Sequence, residues 1–178
     1  MDNLMMRWCV LILTVREGVD RDLRVGHMLM QKLVYMLQSA FNVDFGYRYK
    51  LHYYGPYSDQ LWSDLKLLSD IDVLKVQRSP DGYGYLISLG EAERYELFLA
   101  NYDVLPRAEI TQLIDVLGPL ATRELELIAT THLVSKDLER TNRQVSEQGV
   151  ATTVKRLKPH FSRDDVNRAM ELLNQHNW

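Results

Sequence analysis

Val73-Leu74-Lys75-Val76-Gln77-Arg78 and Tyr83-Gly84-Tyr85-Leu86-Ile87-Ser88 are two β-rich runs, and Ser79-Pro80-Asp81-Gly82 joins them with turn residues. Runs of this kind around such a junction predict an antiparallel hairpin. Just upstream, Leu61, Leu65 and Leu68 recur at helical spacing with Trp62 beside them. Ser58 is placed to cap that helix, and Asp59 lies near its positive end. The helix should stop near Asp70. Before it, His27 to Phe41 carries Leu29, Leu33, Met36, Leu37 and Ala40 on one face and Met30, Val34 and Phe41 on the next, so most of its surface must be buried.

Helix, helix, hairpin is the order of a winged-helix core. The expectation is therefore an α+β, mainly α-helical fold: a winged-helix-like core with its β-hairpin over residues 1–104, and a C-terminal helical extension over 105–178 packed on it as one compact unit. The first helix is predicted over about Asn3 to Glu17, with Met5, Trp8, Cys9, Ile12 and Leu13 on a stripe, Gly18 as its stop and Asp20 to Arg24 as a connector. Phe45 to Tyr57 reads as an extended aromatic segment closing at Gly55-Pro56. Ser88 and Glu91 form the capping-box pattern of a helix over about Leu89 to Tyr102. Further helices are expected over Arg107 to Leu117, ending at Gly118-Pro119, and over Leu120 to Leu133. Ser135 to Arg140 reads as a polar connector. Thr141 and Gln144 then suggest a capping box for a helix reaching Leu157, and Pro159 breaks the chain. Ser162 caps a last helix that packs Val166, Ala169, Met170 and Leu173 inward.

The 178 residues include 46% apolar and 25% charged side chains, ordinary for a folded globular chain. The apolar run Met5 to Val15 is interrupted by Arg7. It lacks the basic start and cleavage site of a signal peptide, and no stretch has the length of a membrane span. Cys9 is the single cysteine, which excludes an internal disulfide and fits a reducing, cytoplasmic setting. Residues 1–135 carry 13 Lys/Arg and 18 Asp/Glu, whereas residues 136–178 carry eight and six. Between Thr141 and Arg163 the bases Arg143, Lys155, Arg156, Lys158 and Arg163 face one acid, Glu147. These five are the candidate contacts for nucleic acid or an acidic partner.

No catalytic constellation emerges. His27, His52, His132, His160 and His176 are scattered, without the paired spacing of a zinc helix, so no metal is expected. His132 falls on an apolar helix face with Leu125, Ile128 and Ala129, as a core histidine does. Cys9 reads as a small core hydrophobe. There is no nucleophile elbow and no phosphate-binding Gly-Lys-Ser/Thr loop. Gly82-x-Gly84 lies in a hairpin turn and not between a strand and a helix, so no cofactor is expected either.

The distinctive stretches are Gln31-Lys32-Leu33-Val34-Tyr35 and Tyr54-Gly55-Pro56-Tyr57-Ser58. Gly55 permits a tight turn and Pro56 fixes the chain direction. Lys32, Tyr35 and Ser39 form a narrow polar line on an otherwise apolar helix. A lysine there can lay its stem along apolar surface and place its amine near the turn carbonyls. Alternatively, Gln31, Lys32, Tyr35, His52, Tyr54, Gly55, Pro56, Tyr57 and Ser58 converge on a groove that grips a partner, for which aromatics and a cation are suited.

With Leu29, Leu61 and Leu65, these residues make the chain resemble the Panacea domain family, which includes the SocA-like antitoxins, and within it the YwgA-like proteins of unsettled activity. A weaker match runs through Leu125-Glu126-Leu127-Ile128-Ala129-Thr130, then Lys158-Pro159 and Phe161-Ser162. The resemblance implies a mostly helical fold. For some members it implies neutralising a toxin by direct binding or handing a partner to a protease.

The expected function is thus a non-enzymatic protein-interaction module, antitoxin-like or a proteolytic adaptor, whose partner belongs to a toxin or protease system. The alternative is a winged-helix-type DNA-binding regulator using the basic 141–163 segment. Ser58 to Asp72 sets Asp59, Asp64, Asp70 and Asp72 against Lys66 alone, which opposes phosphate contact. The helix after Ser58 should therefore not hold duplex DNA. In an anisotropy titration at physiological salt, sub-micromolar binding that disappears in Lys66→Ala would refute this.

Overall fold

The computed structural model describes residues 3–100, 105–141 and 146–178. Among the described residues the protein is a mostly helical α+β chain with two small antiparallel hairpins. It divides into two compact units, one of Met1–Tyr49 with Ser58–Leu120 and one of Lys50–Tyr57 with Ala121–Trp178. This is not a division at 104/105: the last helix before residue 120 belongs to the first unit, and the Gly-Pro turn belongs to the second.

The first unit contains α1 (Asn3–Val19), α2 (His27–Ala40), α3 (Asp59–Asp70), β3 (Leu74–Arg78), β4 (Tyr85–Leu89), α4 (Ala92–Ala100) and α5 (Arg107–Leu117). Helices α2 and α3 and the hairpin follow in the order read from the sequence. Strand β3 packs on α3, and β4 on α1 and α2. Pairing runs from Leu74 opposite Leu89 to Arg78 opposite Tyr85. The outer edge of β4 makes a further bond to the chain entering α2, Ile87 N donating to Val25 O at 2.8 Å. Leu33, Val34, Met36 and Leu37 of α2, with Leu61, Leu65 and Leu68 of α3, lie in the core. Ser58 caps α3 as expected, its Oγ accepting from Leu61 N at 3.4 Å.

Helix α1 is buried without a break from Cys9 to Val15. Thr14 is tolerated there because its hydroxyl donates to the Val10 carbonyl at 2.7 Å. Burial pushes the Cys9 thiol up to about 11, so it stays protonated, and it donates to the Phe98 carbonyl at 3.3 Å. Gly18 does not stop this helix, which continues to Val19. A Cβ at Gly18 would sit 2.6 Å from a Val25 methyl, so glycine here permits close chain approach. The helix expected from Leu89 begins later, at Ala92, and Tyr102 lies outside the described residues. Ser88 is held opposite Lys75 in the sheet, so strand pairing claims the position read as a cap.

The second unit contains β1 (Lys50–His52), β2 (Gly55–Tyr57), α6 (Thr122–Arg140), α7 (Glu147–Leu157) and α8 (Arg163–Gln175). Here α6 packs on α7, α8 and β2, and α7 packs on α8. Helix α6 runs straight through the expected connector Ser135 to Arg140. Its end is laced by i,i+3 ion pairs, Lys136–Glu139 at 3.2 Å and Asp137–Arg140 at 2.7 Å, and Val134 is buried. Thr141 closes α6, its hydroxyl donating to Asp137 O at 2.9 Å. It therefore does not start the next helix, and Gln144 lies outside the described residues. Helix α7 is capped by Ser146, which accepts from Gly149 N at 3.1 Å. Ser162 and Asp165 form a reciprocal capping box on α8, with N···O distances of 2.8 and 3.1 Å.

His132 is the core histidine expected on α6, at 1% exposure. Burial, reinforced by the Lys136 charge, lowers its imidazole pKa from 6.5 to about 4. Between those values the unfolded chain takes up a proton that the folded chain refuses. Stability is therefore complete above pH 6.5 and falls as the pH drops towards 4, by roughly 3 kcal/mol in all. Replacing this titrating group in His132→Leu should flatten that part of the pH–stability curve. Denaturant melts of both proteins at pH 7 and pH 4.5 check it, and an unchanged slope in the variant would refute it.

Candidate functional site

Helix α2 carries two glutamines seven residues apart, which places them on the same face about 10 Å from one another along the axis. The Gln31 amide donates to Ser58 O at 3.0 Å and accepts from Ser58 N at 2.8 Å. The Gln38 amide does the same with Tyr47, at 2.9 and 3.1 Å. Each side-chain amide thus serves one peptide unit as a strand neighbour would, and positions 47 and 58 are pinned to α2. Tyr47 also donates its hydroxyl to Asp64 at 2.8 Å, and Arg7 lies 3.5 Å from the same oxygen. Burial raises the Tyr47 hydroxyl pKa strongly, and the Asp64 charge adds to the effect, so it remains a donor. Asp64 is therefore a buried, compensated acid, and the exposed acids of this region are Asp59, Asp70 and Asp72.

The residues between these anchors, Lys50 to Tyr57, form the β1–β2 hairpin of the second unit. Lys50 pairs with Tyr57, Leu51 with Pro56 and His52 with Gly55. Gly55 adopts φ +87°, the left-handed conformation that glycine accepts without penalty. The hairpin tip is gripped by Lys158, which is 5% exposed. Its ammonium donates to the His52 carbonyl at 3.1 Å and to the Tyr53 carbonyl, and it lies 2.8 Å from the Glu126 carboxylate. Glu126 sits on the buried face of α6 and also faces His160 Nε2 at 3.6 Å. Arg123 donates to the His160 carbonyl at 3.0 Å and lies over the Phe161 ring. Lys155 donates to the carbonyls of Pro159 and Phe161 at 2.8 and 2.5 Å.

With its backbone held from behind, the tip turns its aromatics outward. Tyr53 is 71% exposed and Tyr54 45%, their rings edge to face with centroids 4.8 Å apart. His52 is exposed and rests against the half-buried Tyr57 ring at 5.4 Å.

The sequence candidates are thus redistributed. Gln31, Lys32, Tyr35 and Ser58 belong to the first unit and are buried, so the line formed by Lys32 and Tyr35 offers no surface. Lys158 meets the carbonyls of His52 and Tyr53 at the turn. His52, Tyr54, Gly55, Pro56 and Tyr57 fall in the second unit together with Lys155, Arg156, Lys158 and Arg163, while Arg143 lies outside the described residues. Of this basic set, Lys158 is buried in an ion pair and Lys155 is bonded to carbonyls, whereas Arg156 and Arg163 are exposed. Tyr53, Arg123, Glu126 and His160 were not among the site candidates. The weaker stretches of the resemblance, 125–130 and 158–162, pointed at this region, since they hold Glu126, Lys158 and Phe161. Among the described residues no group of three or more His, Cys, Asp or Glu is gathered to hold a metal. No described helix is long and apolar enough to cross a membrane.

No family model matches the chain. Over 108 residues the chain is 30% identical to the uncharacterized protein YwgA of Bacillus subtilis (strain 168), a match covering 60% of this chain and 63% of that protein. The chain thus spans less than two thirds of the length of this relative.

Removing one member of a buried ion pair strands the other. Lys158→Met should cost about 3–5 kcal/mol, because Glu126 loses its counter-charge and two turn carbonyls lose their donor. The double variant Lys158→Met/Glu126→Leu should recover a large part of that. Urea melts of the three proteins decide it, and a single variant as stable as the parent would show that the pair does not hold the tip.

Proposed function

We propose that the protein is a non-enzymatic interaction module that presents the Tyr53–Tyr54 tip to a protein partner. One observation carries this reading: two adjacent exposed tyrosines sit on a backbone that a buried lysine fixes from behind. Large apolar rings facing water are an unfavourable surface for a chain to keep. Rings already ordered are the anchor that a protein interface uses, because little side-chain freedom is lost on docking. The likeness to YwgA supports kinship with a protein that is itself uncharacterized. The resemblance to Panacea domains supports the narrower reading, an antitoxin-like protein or proteolytic adaptor working in the cytoplasm on a toxin or protease system.

DNA binding by a winged-helix-like core through segment 141–163 is the weaker reading. The Lys158 charge is compensated by Glu126 inside the fold, and Lys155 is committed to two carbonyls.

Tagged protein purified from its native cells tests the proposal against Tyr53→Ser/Tyr54→Ser. The substitutions are on the surface, so stability should change by no more than about 0.5 kcal/mol. A recurrent protein partner should fall at least tenfold in recovery. Undiminished recovery from the double variant, or recovery of nucleic acid alone, would refute the reading.

A further inference from the structure

We infer that a cavity between α6, α7 and α8 is a binding site for a small uncharged molecule, one aromatic ring with a hydroxyl substituent. This goes beyond the partner-binding reading and does not depend on it. The cavity lies within the second unit, where these three helices pack on one another. Its volume is about 250 Å³. A dry protein cavity of about 150 Å³ accepts benzene, and small-molecule pockets begin at roughly 300 Å³. The space therefore suits one ring with a short substituent.

The residues around it define what that ring must carry. Val150 and Leu173 are buried and apolar, and the half-buried Trp178 borders the same space, its ring stacked on His176 with centroids 4.7 Å apart. A flat ring packs against such a wall in the offset or edge-on arrangements that aromatic groups prefer. Thr131 also lines the cavity. It is fully buried, and its hydroxyl has no hydrogen-bond partner among the described residues. Thr14, likewise buried in a helix, instead donates to the Val10 carbonyl at 2.7 Å. Thr130 shares the deficit of Thr131, but only Thr131 borders the cavity. A buried hydroxyl without a partner is costly. A hydroxyl carried in on a ligand removes that cost, because the threonine oxygen can both donate and accept.

The same lining argues against a charged ligand. His132, beside Thr131, stays neutral at physiological pH, since burial lowers its imidazole pKa to about 4. The charged residues of the lining are exposed: Lys136 is matched by Glu139 at 3.2 Å, and Glu147 lies at the start of α7. A carboxylate or ammonium brought to Thr131 would lose its hydration without gaining a counter-charge.

The test is an NMR titration of the isotope-labelled full chain with p-cresol, toluene and p-toluate, which share a methyl-bearing ring and differ in the group opposite. The parent and Thr131→Val are compared, with thermal melts of both. In the parent, p-cresol should shift the amide signals around Thr131, Val150 and Leu173 saturably. It should bind about tenfold more tightly than toluene, the worth of one buried hydrogen bond, and p-toluate should bind more weakly than either. Thr131→Val should melt no lower than the parent, because a methyl group replaces a hydroxyl that the fold leaves unmet, and should bind p-cresol no more tightly than toluene. Absence of a saturable shift with p-cresol, equal affinity of the parent for toluene, or tighter binding of p-toluate would each overturn the inference. A lower melting temperature of Thr131→Val would overturn it as well, by showing that the hydroxyl is satisfied within the fold.

Discussion

An ammonium group held away from water must be surrounded by acceptors, and that requirement at Lys158 arranges the candidate site. It donates to the carbonyls of His52 and Tyr53 and is paired in charge with the Glu126 carboxylate 2.8 Å away. The two carbonyls lie at a tip whose strands are three residues each, too short for the ladder itself to fix the turn. Satisfying the lysine therefore also holds the tip. Once the backbone faces inward to the charge, the side chains of Tyr53 and Tyr54 are left on the outer side. A buried ion pair contributes little net stability compared with an apolar replacement. What it contributes here is position, since only one placement of the turn brings both carbonyls to the ammonium.

Within the first unit, Tyr47 and Ser58 are fixed by a different device with the same logic. Tyr47 and Ser58 lie outside regular strands, and a buried peptide group there would lack partners. Gln31 and Gln38 supply both a donor and an acceptor to each, so α2 acts as a substitute strand along one face. An amide side chain is suited to this because it carries the same pair of groups as a peptide. Glutamate or lysine at either position would satisfy only half of the requirement. Gln31, read from the sequence as a partner contact, is thus spent on the backbone of Ser58.

Much of the architecture was legible because the determinants are local. Ser79-Pro80-Asp81-Gly82 marks the β3–β4 turn, Ser58 caps α3, and Arg107–Leu117 ends at its Gly-Pro. Local signals failed at two places where another interaction claimed the residues. Ser88 and Glu91 spell a capping box, yet pairing with Lys75 keeps Ser88 in the sheet. Ser135 to Arg140 looks like a connector, yet ion pairs one turn apart and the buried Val134 carry α6 through it. The β1–β2 pair was read as an extended segment and a turn but not as a hairpin. All three β1 residues are exposed, so the inside-outside alternation that reveals a strand is missing. The site was the least legible part. Its central contact joins Lys158 to residues more than 100 positions earlier, and no spacing rule could single out that lysine.

The distribution of charge shows why composition misdirects in such a molecule. The segment between Thr141 and Arg163 reads as a basic face, but its members have different fates. Lys158 is paired in the interior, Lys155 is oriented by carbonyls, and Arg156 and Arg163 are exposed. The acids of α3 divide likewise, Asp64 being buried against Arg7 while Asp59 and Asp70 stay at the surface. The field that a partner meets depends on which charges keep their strength at the surface, not on the sum along the chain. A cation bonded to neutral carbonyls is ordered and still fully charged. It can meet a carboxylate without first breaking an ion pair or giving up the freedom of a long side chain. The tyrosines of the tip sit on a backbone that Lys158 holds through the His52 and Tyr53 carbonyls.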